Sequence, residues 1–344
     1  MRFIPSLLLA CVSMSTLPLH AATLDDLYQV REPVSSQQPD ARNQALQAAL
    51  DTLVLRLTGQ PEALKNPTIA GLRNDPQQIV SQYGYDNDRL VVDFDPVSTD
   101  RSLRQAGLPL WGASRPALVT WWLDQAEDGT NNLSGDNQAS AQAIRAAAQY
   151  RGLPVRMPLA DLEEQLVATP ENLASAASGP LTEASGRYSA DGVLTVRSSQ
   201  QDGQWKGEWQ LALGDLQDKG TAQADSRETL ADTIMRTVSE RLAPRFAVAP
   251  GSSSAFEVQI SNVDLNRYAE LQRVLEPFDG RMISAGEGNV RYQVNANEQQ
   301  LKAQLGLIHA QEAPAPESPA PLDAQGQPMP PQDTSGGRTL YFAF

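Results

Sequence analysis

The sequence predicts a multidomain protein of mixed α/β and α+β class, and three patterns predict it. Residues 24–124 alternate strand-like and helix-like segments. Trp205 to Leu213 alternates apolar and polar positions behind an Asp202-Gly203 turn and leads into a long helical pattern. Phe256 to Leu307 reads strand, helix, strand, strand, helix, the start of a ferredoxin-like split βαβ unit.

The chain opens with a positive Met1-Arg2, a largely apolar stretch from Phe3 to Leu19 and a small-residue site at Leu19-His20-Ala21. That is the pattern of a secretory signal cleaved after Ala21, so residues 1–21 are expected to be lost and the product to be periplasmic. The apolar run is short and broken by Pro5 and Pro18, which argues against an integral membrane span. A lipoprotein site at Leu8-Leu9-Ala10-Cys11 is the minor alternative, although it would leave a short signal and an apolar mature start.

A first α/β module is expected over residues 22–113. Leu27 to Arg31 fits a half-buried strand that Pro33 ends. Asp40 is the expected cap of a helix from Ala41 to Leu57, where Leu46, Ala49, Leu50, Leu53 and Leu57 keep an apolar stripe and Gly59 stops the turn. Pro61 and Pro76 open further short helices, the second running through Ile79, Val80 and Tyr83. Arg89 to Phe94 is a strand after an Asn-Asp turn, and Asp100 to Ala106 a helix stopped by Gly107.

The central α/β module is expected over residues 114–249. It is entered by Leu108 to Asp124, which holds three of the five tryptophans and a buried-strand run from Ala117 to Leu123. Asp128-Gly129 and Gly135 place a loop over residues 125–137. Ser140 to Tyr150 is a helix stopped by Gly152, Leu153 to Met157 a short strand, and Asp161 to Val167 and Pro170 to Ala177 are helical. Ser185 to Arg197 reads helix, turn, strand. The Asp202-Gly203 hairpin and a strand near Gly220 to Ala224 complete a three-strand meander, closed by a helix from Ser226 to Phe246.

Pro250 to Ser254 is a linker by composition. The ferredoxin-like module, residues 250–310, then runs through a strand (Phe256 to Val263), a helix opened by Asp264, a turn at Asp279-Gly280, two strands (Arg281 to Ala285, Asn289 to Asn295) and a helix (Glu298 to Leu307). Residues 311–337 are rich in Pro, Ala, Gln and Glu and are expected to be disordered. Residues 338–344 are strongly β-prone, and the favoured reading returns this strand to the third module's sheet; strand addition to a partner is the alternative.

Composition narrows the chemistry. The formal net charge is -14, becoming -15 without Arg2, which disfavours nucleic-acid and anionic-membrane partners. Cleavage after Ala21 would remove the one cysteine, Cys11, and leave His309 as the remaining histidine, so thiolate catalysis and His or Cys metal clusters are excluded. No nucleotide loop is present; Gly286-Glu287-Gly288 is best read as a hairpin turn. No cofactor and no metal ligand are expected. The acids Asp124, Glu127, Asp128 and Asp136 miss the offsets of a calcium loop.

Carboxylate pairs remain, at Asp86 and Asp88, Asp93 and Asp95, and Glu163 and Glu164. A glycosidase would need two of them facing across a cleft, a geometry that sequence does not supply. Trp121 and Trp122 point to opposite faces of one strand and cannot share a platform, while Trp205 and Trp209 share a face as core residues do. Trp111 and Arg115, in the turn before the buried strand, are left as the candidate contacts for a partner.

The residues Leu27-Tyr28-Gln29-Val30, Val54-Leu55-Arg56-Leu57-Thr58-Gly59 and Ala106 to Gly112 with Arg115-Pro116 resemble an uncharacterised family of periplasmic proteobacterial proteins, domain of unknown function 2066. The resemblance extends to about Ile308. It implies a compartment and a domain pattern and carries no catalytic residues. At fold level the central pattern is similar to small periplasmic domains of outer-membrane-assembly and cell-wall-synthase accessory proteins. The expected function is a non-catalytic binding or scaffolding module in envelope biogenesis with a protein partner, its oligomeric state open. A carboxylate-dependent hydrolase of envelope glycans is the alternative.

Overall fold

The computed structural model describes residues 26–175, 179–249, 254–315 and 339–344. The expected signal, residues 176–177 of the helix expected from Pro170, residues 250–253 of the linker, residues 316–337 of the Pro-rich segment and residue 338 of the terminal strand lie outside them. The fold is mixed α/β with three sheets, as the sequence pattern predicts. Among the described residues no helix is long and apolar enough to cross a membrane.

The N-terminal sheet is antiparallel in the order β1 (Gln29–Pro33), β3 (Arg89–Phe94), β2 (Val80–Asp86). Helix α1 (Pro39–Thr58) lays Leu46, Leu50, Leu53 and Leu57 into one core with Val30, Leu90, Val92 and Phe94. It stops at Gly59, whose φ of 61° supplies the left-handed cap that glycine adopts without strain. Helices α2 (Pro67–Asn74) and α3 (Pro96–Gln105) cover the remainder.

Three expectations are corrected here. Asp40 is no cap; α1 begins at Pro39, with Asp40 in its first turn. Pro76 starts one 3-10 turn, and Val80 onward is β2 rather than helix, because a turn with Asn87 at φ 54° folds the segment back onto β3. Helix α3 starts earlier than Asp100, since Asp95 accepts from the Ser98 N–H at 2.8 Å and Pro96 takes the first position, where its missing N–H is harmless.

The central sheet runs β5 (Asn131–Leu133), β4 (Leu118–Gln125), β7 (Gly192–Gln201), β8 (Gln204–Leu213), β9 (Leu216–Ala224), with β6 (Val155–Arg156) beside the start of β4. Strand β4 pairs in parallel with β7, and β7 to β9 form the meander through Asp202 and Gly203, both at positive φ as a type I′ turn requires. Trp122 faces a layer of α4 (Ala139–Arg151) and α8 (Arg227–Phe246), and Trp121 packs beneath α5 (Leu162–Val167), α6 (Pro170–Leu173) and α7 (Pro180–Ser185). The two tryptophans thus enter different layers, and Trp205 and Trp209 share the α8 side.

The C-terminal sheet has the order β11 (Arg281–Gly286), β12 (Asn289–Ala296), β10 (Ser254–Ser261), β14 (Thr339–Ala343), β13 (Gln311–Glu312). Helices α9 (Leu265–Leu275), capped by Asp264, and α10 (Glu298–Leu307) pack on it. A split βαβ unit would place its fourth strand beside the first. Here β14 lies there, parallel to β10, with β13 outside it and antiparallel to it. The terminal strand therefore pairs with its own chain, anchored by buried Phe342. Gln311 and Glu312 join the sheet instead of the Pro-rich segment, because β14 offers them an edge.

Candidate binding cleft

The turn from Pro109 to Pro116 carries the two residues singled out for a partner, and both are buried. Trp111 is fully enclosed: its ring stacks on Phe246 at 6.0 Å and its backbone N–H donates to the Leu57 carbonyl at 2.6 Å. The Arg115 guanidinium lies 4.1 Å over the Trp111 ring and donates to the carbonyls of Gly112, Trp111, Gly152 and Arg56. Burial lowers its pKa to about 9, with the charge of Arg56 adding to the effect. The expectation of free contacts is thus corrected. An arginine fork can satisfy several carbonyls at a junction of helix ends, so here it closes the interior.

Arg56 extends the same junction. It donates to the carbonyls of Leu27, Gln29 and Tyr150, and burial lowers its pKa to about 10. Beside it the Tyr150 hydroxyl and the Thr52 hydroxyl both donate to Glu32, at 2.7 and 2.6 Å. Leu110 and Val248 exchange two backbone hydrogen bonds at 2.9 Å, and the Gln304 amide donates to the Phe246 carbonyl at 3.1 Å. The sheets are therefore joined by side-chain to main-chain bonds and not by apolar contact alone.

This junction leaves a cleft of about 590 Å³ that draws on all three sheet units. Leu110, Phe246 and Val248 supply apolar lining, and Pro96 and Val97 of α3 and Pro277 after α9 add to it. Arg101 and Arg104 reach it from α3 and Arg273 from α9. Among the described residues the side chains of these three arginines make no hydrogen bond and no close ion pair, although Arg104 lies near enough to Asp100 for its charge to be felt there. Arg104 and Arg273 sit in last turns, where the helix dipole favours a cation, but that does not explain their gathering at one cleft. Tyr28 donates to Asp100 at 2.7 Å on the same wall, and burial raises the pKa of both groups. Gln304, 5% exposed, also lines the cleft, and its Oε1 has no hydrogen-bond partner.

A larger cleft, about 940 Å³, is lined by Asp191, Arg241, Arg245, Lys302 and His309. Its cations are already neutralised: Arg241 pairs with Asp218, Arg245 with Asp215, and Lys302 with Glu298 and Glu312. His309 is an exposed residue just after α10, at φ 61°. The smaller cleft is the better binding candidate, because its charges remain available.

Four of the six carboxylates considered for hydrolysis, Asp86, Asp93, Asp95 and Glu164, have structural partners. Asp93 accepts from Gln29 and Gln82, both at 2.8 Å, Asp95 caps α3, and Asp86 pairs with Arg31 at 3.1 Å. Buried Glu164 accepts from the Ala160 N–H at 2.7 Å and from the Tyr188 hydroxyl, whose pKa is pushed up to about 12, first by burial and next by that bond. In the acidic loop, Asp124 accepts from Trp122 and Arg227, Asp128 from the Thr130 N–H, and Asp136 pairs with Arg145. Among the described residues no three His, Cys, Asp or Glu side chains gather as a metal site would need. Sequence reasoning missed the arginine cleft: Arg101 and Arg104 are a helical pair, but nothing marks Arg273 as their neighbour.

Residues 21–112 match a family model described as a domain of unknown function, DUF8605. An uncharacterised family is what the resemblance implied, but the model carries a different number and a shorter span. No curated protein matches the chain. Among solved structures, the LpoB C-terminal domain from Salmonella enterica is 18% identical, over 32% of this chain and 83% of that one, with a TM-score of 0.22. The lipoprotein GNA1162 from Neisseria meningitidis is 17% identical, over 38% and 99%, with a TM-score of 0.21. Likeness at these scores carries no argument about the site.

Proposed function

We propose that the chain is a non-catalytic binding or scaffolding protein of the bacterial envelope, periplasmic after removal of residues 1–21, with its ligand or partner held at the cleft between α3, α9 and the end of α8. The observation that carries this reading is the cleft itself: an apolar lining beside three arginines whose side chains make no hydrogen bond or ion pair among the described residues, next to the junction held by Arg56 and Arg115. Binding sites are concave, mainly apolar and furnished with a few placed polar groups. The envelope assignment rests on the signal-like start and on the resemblance to a periplasmic family. The module boundaries at residues 113, 249 and 310 belong to the same proposal. A hydrolase is disfavoured because at least one member of each candidate carboxylate pair is engaged as a cap, a cross-strand bond or an ion pair.

A photo-crosslinking side chain in place of Val97, which is 65% exposed in the cleft wall, tests the reading in intact envelopes. A discrete adduct is expected from this position and not from a crosslinker at exposed Gln217 on β9. Equal labelling at both positions, or none at Val97, would overturn it.

A further inference from the structure

We infer that the cleft takes an amphipathic anion, its phosphate or carboxylate head on Arg101, Arg104 and Arg273 and its apolar body along Pro96, Val97, Val248 and Pro277. The inference rests on the binding reading above and names its ligand class.

In a chain of net charge -14, acidic partners are plentiful, and Arg31, Arg73, Arg145, Arg151, Arg227 and Arg291 have each found one. Among the described residues the three arginines at the cleft make no salt bridge, as Arg42, Arg89, Arg236 and Arg281 also do not. What sets them apart is that they share one cleft, where they outnumber the carboxylates of Asp100, which feels the charge of Arg104, and Glu276. The overall field repels an anion at long range, so recognition would have to come from local contacts. Guanidinium groups provide those by bidentate bonding to phosphate or carboxylate.

Size and lining argue for a head with an apolar body rather than a bare ion. A volume of about 590 Å³ falls within the range of small-molecule sites, whereas inorganic phosphate would leave the apolar wall of Pro96, Val97 and Pro277 uncovered. Gln304 adds a second, independent mark. It is buried with its amide nitrogen engaged and its Oε1 lacking a donor. A hydroxyl on the head group would be such a donor. Arg101, Arg104 and Arg273 are exposed side chains, so charge reversal there leaves the core intact.

The test is calorimetric titration of the whole chain with three probes: dodecyl phosphate below its micelle concentration, inorganic phosphate, and dodecyltrimethylammonium. Dodecyl phosphate is expected to bind saturably at one site, and the combined R101E, R104E and R273E variant to lose at least about tenfold in affinity while it still unfolds cooperatively, with only a small drop in thermal stability from placing Glu in the last turns of α3 and α9. Inorganic phosphate is expected to compete only weakly and the cationic amphiphile not at all. Equal binding of the cation, full competition by inorganic phosphate, or an unaffected variant would each overturn the assignment. If dodecyl phosphate fails to bind while the Val97 crosslinker still yields its adduct, the ligand class is wrong and the binding reading survives; failure of both removes the reading.

Discussion

The guanidinium of Arg115 donates to the main-chain carbonyl of Arg56 at 2.7 Å, so two buried arginines tie the last turns of α1 to the turn that enters β4. Neither relies on a carboxylate for its hydrogen bonds; both bond to carbonyls at the places where helices and strands end. Replacing Arg115 by Met leaves four carbonyls short of a donor, while relieving the cost of burying a charge. The first effect wins because the fork bonds cannot be rebuilt by neighbours, and a loss of roughly 3 kcal/mol is expected in urea unfolding. Arg115→Lys should recover only part of it, since an ammonium cannot span the same fork.

Gly59 makes the other close contact across this junction. Its φ is 61°, and a Cβ built there would lie 2.0 Å from the Cβ of Ala243 on α8. Gly59→Ala should therefore destabilise by about 2 kcal/mol or more, combining left-handed strain with a clash of backbone-near atoms. Adding Ala243→Gly removes the clash but not the strain, so the double variant should recover only part of the loss. A double-mutant cycle by thermal unfolding measures the coupling; full additivity would mean that the two helices simply move apart.

Much of the architecture was legible because local signals agree with the sheet they serve. The bounds of β3 and α10 coincide with the expected Arg89–Phe94 and Glu298–Leu307, where turn, cap and apolar period all point one way. Residues 80–86 were not legible: their polar, exposed side chains become a strand only because β3 offers an edge. Trp111 and Arg115 misled for a related reason. Residues in a Pro- and Gly-rich turn look free, and only the packing of α8 and α10 over the turn buries them. The arginine cleft was hidden because its cations lie about 170 positions apart, a separation that sequence periodicity does not reach.

Strand β14 sits between β10 and β13 with one fully buried side chain, Phe342, so its hold on the sheet is mainly the ladder plus that anchor. Paired cysteines at Val258 and Leu340, neighbours in the parallel register, should form a disulfide within one chain, seen as a monomer on non-reducing gels. Covalent dimers would place the strand in a second copy. Phe342→Ala should cost about 3 kcal/mol at most, because the strand can detach locally. Amide exchange should then rise in β10 and β13 while β4 stays protected.

The start of α3 links acid stability to the cleft. Asp95 accepts from both the hydroxyl and the N–H of Ser98, and these bonds hold its pKa below the usual 3.8, the hydroxyl bond contributing most. Because the folded value is the lower one, the unfolded chain binds this proton first on acidification. The stabilisation is complete well above pH 3.8 and disappears as pH falls through the depressed folded value. Asp95→Asn can still cap the helix but cannot titrate, so its unfolding midpoint should fall less steeply with acid below about pH 4. Asp95→Ala loses the cap at every pH, and the first turn of the helix that carries Arg101 and Arg104 should fray. If dodecyl phosphate binds at the cleft, Asp95→Ala should weaken it at pH 7 while Asp95→Asn leaves it near the parent value; the reverse order would show that charge at the helix start, not the cap, positions those arginines.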